Sequence, residues 1–289
     1  MRFSLILCTI GRSAEVGRFV ESLVVQSHQD WELVVVDQNA DDRVRAVLAN
    51  YDGRFAIAHL RAPAGLSRAR NAGFASAAGD IIAFPDDDCW YSPSVLEQVA
   101  RYLSRRPECD GVTGRTASAL GQPTSGRWSR RAGRITRYNC WWRGVSCSLF
   151  LRRHVVEGVG PFDESLGVGA GTPWGSAEEI DYVLRALKAG FRLHYDPTIV
   201  VNHENPVGHY DAGAVRRAYH YGMGIGRVLR LHRFPIWFAL YQCSRPLGGS
   251  VFSHLMGRSD RAGYYWAGFR GRVRGVWYRP SDRERSPTH

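Results

Sequence analysis

Three consecutive carboxylates, Asp86, Asp87 and Asp88, follow the apolar run Ile81–Phe84 and a single proline, Pro85. Adjacent like charges repel, so a triplet at the end of a buried segment gains nothing unless a cation sits nearby. On an extended segment alternate side chains share a side, so Asp86 and Asp88 converge while Asp87 points away. Two oxygen ligands held this way suit a hard divalent ion, Mg²⁺ or Mn²⁺, that keeps waters and takes phosphate oxygens as further ligands. The plainer reading is a solvated acidic turn that caps the next helix. Ser92–Pro93, however, already offers that helix a cap residue and a first-turn proline.

The elements that must position these groups follow from periodicity. Residues 3–9 and 31–38 are apolar runs of strand length, the second ending around Asp37. Between them Val16, Phe19, Val20, Leu23 and Val24 repeat at helical spacing. A short helix over 41–50, a strand over 55–60, an Ala-rich helix over 65–80 and a strand over 81–84 complete the first part. Strand and helix alternate, which predicts an α/β fold with a mostly parallel sheet flanked by helices. Ligands of such sheets sit beyond the carboxyl ends of the strands, so Asp37 and the aspartate triplet are expected to face one crevice. A carboxylate at the position of Asp37 can accept hydrogen bonds from a uracil N–H or ribose hydroxyls, or it can be a loop acid at a helix start.

Further along, residues 115–140 are rich in Gly, Ser and Arg, with Arg127, Arg130, Arg131 and Arg134 at helical spacing. Residues 167–179 form a Gly-rich loop too long for a mere connector, leading into a helix with Ile180, Val183, Leu184 and Leu187 on one face. Residues 191–206 read as one or two strands closed by His203 and a proline.

Charge divides the chain more sharply. From Asp211 onward there are 14 Arg against four acids, a balance of +10 of the total +11, so the first 210 residues are near neutral. These numbers predict two domains, 1–208 and a basic, aromatic-rich helical extension over 209–289. Its arginines interleave with Trp237, Trp266 and Trp277, a composition suited to an anionic membrane surface or to a merely solvated basic face. Its longest stretch without a basic (histidine included) or acidic side chain, Phe234–Ser244, is 11 residues, far short of the roughly 20 that span a bilayer. The six cysteines show no CxxC or zinc spacing, and the N-terminal apolar run lacks a cleavage site. A cytoplasmic protein, peripheral on the inner face of the cell membrane, is expected.

Five segments then carry a resemblance: SLILCTIGR, SLVVQSHQDWELVVVDQNADD, GLSRARNAG, GDIIAFPDDDCW and WGSAEEIDYVLRALKAG. In order and spacing they resemble family-2 inverting glycosyltransferases, over roughly residues 1–205. The resemblance implies the nucleotide-sugar-binding fold called GT-A. It implies that Thr9, Asp37 and Asp41 read the base or ribose and that Arg70 and Asn71, the family's ARN segment, lie near the nucleotide. Asp86 and Asp88 match the metal-binding DxD pair, and Asp86 and Asp87 join the nucleotide set. Cys8 stands where the family usually has proline.

The resemblance also places the catalytic base, which takes the acceptor hydroxyl's proton, at Glu179, where the family has Asp. Two other readings stand beside it: Ser176 to Glu179 is a capping box, in which Glu179 only satisfies a backbone N–H, and Glu178 is the alternative base. Asp181 is expected to help the same helix terminus. His203 can ligate the metal, touch phosphate or be a satisfied structural histidine. Trp174, Trp141 and Trp142 can wall an acceptor sugar or pack in the core.

The expected activity is metal-dependent inverting transfer from a nucleoside diphosphate sugar, UDP or dTDP ahead of GDP, to a saccharide or lipid-linked acceptor. One rival is a nucleotidyltransferase, whose Gly-rich loop after the first strand is absent. The other is a basic nucleic-acid-binding protein, disfavoured because the first 210 residues are near neutral and carry no recognition motif; no nucleic-acid partner is expected.

Overall fold

The computed structural model describes residues 1–124, 128–204 and 209–278. They form two compact units, one of residues 1–164 with 179–206, the other of 165–178 with the residues described beyond 208. The Gly-rich segment therefore groups with the C-terminal helices, and the boundary expected at 208/209 adjoins residues outside the described ones.

In the first unit β1 (Phe3–Thr9), β2 (Trp31–Asp37), β3 (Ile57–Arg61) and β4 (Ile81–Ala83) lie parallel in the order β3-β2-β1-β4. Every residue of β1 and β2 is buried, which is why both read as unbroken apolar runs and not as alternation. Helix α1 (Ala14–Val24) turns Val16, Phe19, Val20 and Leu23 into the core. α2 (Arg43–Leu48) is a short turn of helix. α3 (Leu66–Phe74) approaches β1 so closely that a Cβ on Gly73 would stand 2.4 Å from Ile6 Cγ2.

The Ala-rich helix ends at Phe74, short of residue 80, because the chain that follows is claimed by other partners. The Ala78 amide donates to the Glu32 carboxylate and the Gly79 amide to the Ser4 hydroxyl. Glu32 also takes the Ser4 hydroxyl and Arg2 Nη2. Burial works against the charged form of Glu32, yet these donors hold its carboxyl below the usual range.

Beyond β4 the sheet is mixed. The path continues β8 (Leu149–Arg152), β6 (Gly111–Ala117), β9 (Leu193–His203), β5 (Cys89–Tyr91), with β7 (Gly133–Arg134) also on β9. β4–β8, β8–β6 and β9–β5 are antiparallel, whereas β6–β9 is parallel. β9 is a single strand; it tolerates Pro197 because the β6–β9 register shifts there, between Thr113 and Arg115 on β6. The arginine-rich stretch forms no helix among the described residues. Gly133–Arg134 is strand, Arg143 donates to the Arg131 and Arg134 carbonyls, and Arg127 lies outside the described residues. Helices α4 (Val95–Ser104), α5 (Arg153–Val159) and α6 (Glu178–Lys188) also precede β9, with short 3-10 turns at Ala49–Tyr51, Cys140–Trp142 and Ser146–Ser148. α4 begins after Ser94, not Ser92, whose hydroxyl accepts from Asn202 instead. All six cysteines are buried free thiols.

The second unit is built on α7 (Ala212–Leu231), α8 (Ile236–Leu255) and α9 (Ser259–Trp277). Asp211 caps α7 by accepting from the Ala214 amide. α7 and α9 cross in near backbone contact: a Cβ on Gly226 would stand 2.2 Å from the Arg272 carbonyl oxygen, and one on Gly275 2.2 Å from that of Met223. Gly222 and Gly271 occupy the same seam, the small-xxx-small pattern that lets helix backbones meet. Pro246 lies inside α8 and cannot donate to the Gln242 carbonyl one turn back; Arg272 of α9 donates to that oxygen instead. No helix among the described residues is long and apolar enough to cross a membrane.

Candidate active site

Strand register assembles the aspartates. Cys8 pairs with Asp86 beyond the end of β4, which carries the triplet alongside Thr9. Residues 87–88 then turn, and β5 begins at Cys89, directly opposite His203 on β9. One oxygen each of Asp86 and Asp88 and one imidazole nitrogen of His203 lie within 4.8 Å of one another. Asp86 and Asp88 thus converge through a turn, not through alternation along an extended segment.

The turn also corrects the expectation for Asp87. It is buried and faces inward, accepting from Thr9 Oγ1 (2.7 Å) and Arg12 Nη1 (2.5 Å). Arg12 Nη1 reaches Asp88 Oδ2 as well, at 2.8 Å, and His203 Nε2 lies 3.1 Å from Asp88 Oδ1. Burial raises the Asp87 carboxyl, with the Asp88 charge adding to it and Thr9 and Arg12 opposing. Burial also works against ionised Asp88, but His203 and Arg12 outweigh it and bring that carboxyl to about 2. His203 shows the converse: burial disfavours its cation, yet Asp88, Asp86 and the Glu204 carbonyl hold it above the ordinary imidazole value.

Asp86 is bound from the other side. The Arg70 guanidinium, almost fully buried, lies 3.3 Å from Asp86 Oδ1 and 5.4 Å over the Phe162 ring. Ser146 Oγ donates to the same carboxylate at 3.3 Å. Asn71, one residue on, locks the 162–164 backbone: it accepts from the Phe162 amide and donates to the Phe162 carbonyl and Glu164.

At the end of β2, Asp37 is fully buried and its oxygens are engaged. Asn39 donates to Oδ1 from backbone and side chain, while His59 and Arg61 stand 3.0 and 3.2 Å from Oδ2. Burial raises this carboxyl, but those donors bring it below the usual range. Asp41 is exposed and chelated by Arg43.

Among the glutamates, Glu179 lies in the first unit, and its charge is felt by Cys140. Cys140 opens the short turn Cys140–Trp142. Glu178 and Trp174 belong to the second unit. There the Glu178 carboxylate packs on Gly167, and Trp174 is buried with Arg227 4.3 Å over its ring. α6 starts at Glu178, and Ala177 before it has φ +70°. That register places Ala177, not Ser176, at the cap position, and the Ser176 hydroxyl donates to the Tyr221 carbonyl. Asp181 pairs with Arg185, one turn on, at 2.8 Å.

The comparisons with known proteins add descent to this geometry. The model of the family described as Glycosyl transferase family 2 matches residues 4–158, just over half of the chain. The chain belongs to glycosyl transferase family 2. This family-2 chain is similar to the succinoglycan biosynthesis protein ExoM of Rhizobium meliloti, at 26% identity over 235 residues, covering 77% of this chain and 74% of that one. It is similar too to an Escherichia coli protein named as the UDP-Glc:α-D-GlcNAc-diphosphoundecaprenol β-1,3-glucosyltransferase WfgD. There the identity is 29% over 102 residues, 35% of this chain and 40% of that one. Against several other curated relatives that it matches, the chain spans about half of their length or less. Its fold is that of a mannosyltransferase of Pyrobaculum calidifontis solved with GDP-Man and Mn²⁺. The TM-score is 0.65 at 14% identity, covering 96% of this chain and 87% of that one. The GT-A architecture is thereby established for the family-2 chain.

Two contributors escape sequence reasoning. Arg12 stands in a turn that looks like simple punctuation, and Ser146 in a segment with no motif. Only the Cys8–Asp86 bridge and the return of the chain through residues 140–148 reveal them.

Proposed function

We propose that this chain transfers a sugar from a nucleoside diphosphate sugar to a hydroxyl of a saccharide or lipid-linked acceptor, with inversion at the anomeric carbon. The observation that carries the reading is the convergence of Asp86, Asp88 and His203 in a family-2 chain. Two carboxylates and one imidazole fit Mg²⁺ or Mn²⁺, the imidazole favouring the latter. When bound there, such an ion neutralises diphosphate charge and stabilises the leaving group.

The chain's own residues do the rest. Arg12, already facing Asp87 and Asp88, is placed to meet diphosphate oxygens, and Thr9 and Arg70 hold the aspartates it serves. Asp37, Asp41 and Asn71 shape the nucleotide end, Asp37 accepting from base or ribose only if its present donors yield. Glu179 receives the proton of the acceptor hydroxyl. That oxygen bonds to the anomeric carbon as the bond from carbon to the diphosphate oxygen breaks, its electron pair leaving with the diphosphate. Trp141 and Trp142 are the candidates to offer ring faces to an acceptor sugar. Trp174 and Glu178 are the reserve candidates for the same two tasks.

UDP is the first donor nucleotide to test, followed by dTDP and GDP, because one relative's name gives UDP-Glc as its donor. That name also includes a diphospholipid-linked sugar, which supports a lipid-linked acceptor. The basic C-terminal helices would hold the chain to the cytoplasmic face of a membrane carrying such an acceptor.

The test is a thermal-shift titration with each nucleotide, with and without Mn²⁺, repeated on Asp88→Ala. A metal-dependent shift of a few kcal/mol at about 100-fold excess over Kd, lost in the variant, is the expected result. A transfer product that retains the donor's anomeric configuration overturns the mechanism.

A further inference from the structure

α8 is apolar on both faces. Its buried positions are Phe238, Ala239, Gln242, Cys243, Pro246 and Ser253, whereas the larger side chains Trp237, Leu240, Tyr241, Val251, Phe252 and Leu255 face outward. The contrast is large: Leu240, Phe252 and Leu255 are 62, 63 and 77% exposed, against 1% for Gln242 and 2% for Ser253. A helix bathed in water gains by keeping its outer face polar. At about 100° per residue the outward groups share one face of a helix of about 30 Å, in two clusters, one over 237–241 and one over 251–255.

Charge says what covers this face. From Ala212 to Ser259 the chain carries seven arginines and no acid, and Arg233, Arg245 and Arg258 stand exposed before, within and after α8. A groove of about 300 Å³ opens at the N-terminal end of α8, with apolar walls that include Leu229, Phe234 and Trp277 and with Arg230 and Arg233 among its lining. Apolar walls with guanidinium groups suit an acyl chain under a phosphate. A second copy packed on this face would meet arginine with arginine; an anionic bilayer supplies the missing counter-charge.

We propose that α8 is an in-plane membrane helix whose outer face enters the boundary between headgroups and acyl chains of an anionic bilayer, with Arg233, Arg245 and Arg258 at the phosphates. This rests on the membrane-surface reading above and names the element, its face and the lipid chemistry. The helix lies in the interface and does not cross, since it is not apolar enough to span.

The experiment is co-sedimentation of the full chain with phosphatidylcholine vesicles, with and without about a third phosphatidylglycerol. It compares wild type with a variant carrying Leu240→Gln, Phe252→Gln and Leu255→Gln. These side chains are exposed, so circular dichroism should be unchanged. Wild type is expected to bind the anionic vesicles and the variant to partition at least about 30-fold less. High salt is expected to weaken the remaining binding further, because it screens the arginines. Wild type that stays in the supernatant overturns the proposal, as does a variant that binds like wild type. So does a wild-type dimer in vesicle-free buffer that the substitutions turn into monomer. Nucleotide thermal shifts on the same samples separate the two readings: vesicle binding without any nucleotide shift leaves the helix assignment standing and removes the transferase chemistry.

Discussion

The sheet unit and the helical unit solve burial in opposite ways. The first hides Phe3, Leu5, Phe19 and Phe150 completely, and every charge it buries has named partners, as at Glu32, Asp37 and Arg70. The second puts glycines, Gln242 and Ser253 into its helix contacts and turns Trp237, Leu240 and Phe252 outward. One is organised as a protein in water, with a preassembled polar site at its strand ends. The other buries Met223, Val228, Leu229 and Phe238 but closes α7 on α9 by backbone packing at glycines, which leaves the large outward side chains of α8 for another medium. Chemistry and placement are divided between them.

That division can be broken at several points. The largest effect is expected from Glu179→Gln, which should lower kcat by about 10²–10⁴-fold in a transfer assay while leaving the nucleotide thermal shift intact. Glu179→Asp should restore much of the rate; unchanged kcat in Glu179→Gln would return the role to Glu178. Asp88→Ala comes next, with a loss of about 10²–10³-fold in kcat/KM and of Mn²⁺-dependent nucleotide binding, read by calorimetry. Neither change should alter vesicle binding.

Gly275→Leu attacks the other unit. A side chain that must displace the Met223 backbone should cost more than about 3 kcal/mol, seen as faster amide exchange in α7 and α9 than in β1 and β2. Equal protection in wild type and variant would mean that the helices are not held by that seam.

A smaller effect sharpens the account of the first unit. Glu32→Gln leaves the Arg2 guanidinium without its carboxylate and should cost about 1–3 kcal/mol near neutral pH. Because Glu32 titrates below its ordinary value of 4.5 in the folded chain, its contribution is complete above that value and fades as pH falls through the folded one. The stability difference between wild type and variant, read by denaturant unfolding at a series of pH values, should therefore shrink as pH falls; a constant gap would show that Glu32 is not ionised in the fold.

Much of this was written in local pattern. β1, β2 and α1 are long and uniformly periodic, so their residues announce them, and the triplet announces a cation. The outer half of the sheet does not. β5 has three residues and β7 two, too few for any period to show, and β9 hides behind Pro197. Two partners of the triplet were invisible for a related reason: Arg12 and Ser146 reach it only through contacts between distant segments, whereas His203, closing a strand-like run, was legible as a candidate ligand. The C-terminal helices were foreseeable from charge but not their orientation, since α8 has apolar residues both inside and out.

Pro246 carries a last consequence. Proline inside a helix ordinarily counts as damage, and exchanging it for alanine is expected to gain about 3 kcal/mol in helix propensity. Here the carbonyl it abandons has become an anchorage, because Arg272 crosses from the next helix to bind it. Pro246→Ala would close the ladder of α8 and compete with the guanidinium for Gln242. The chain should thus gain far less than that figure, or lose stability, and a repair of one helix would read as the cutting of a tie between two.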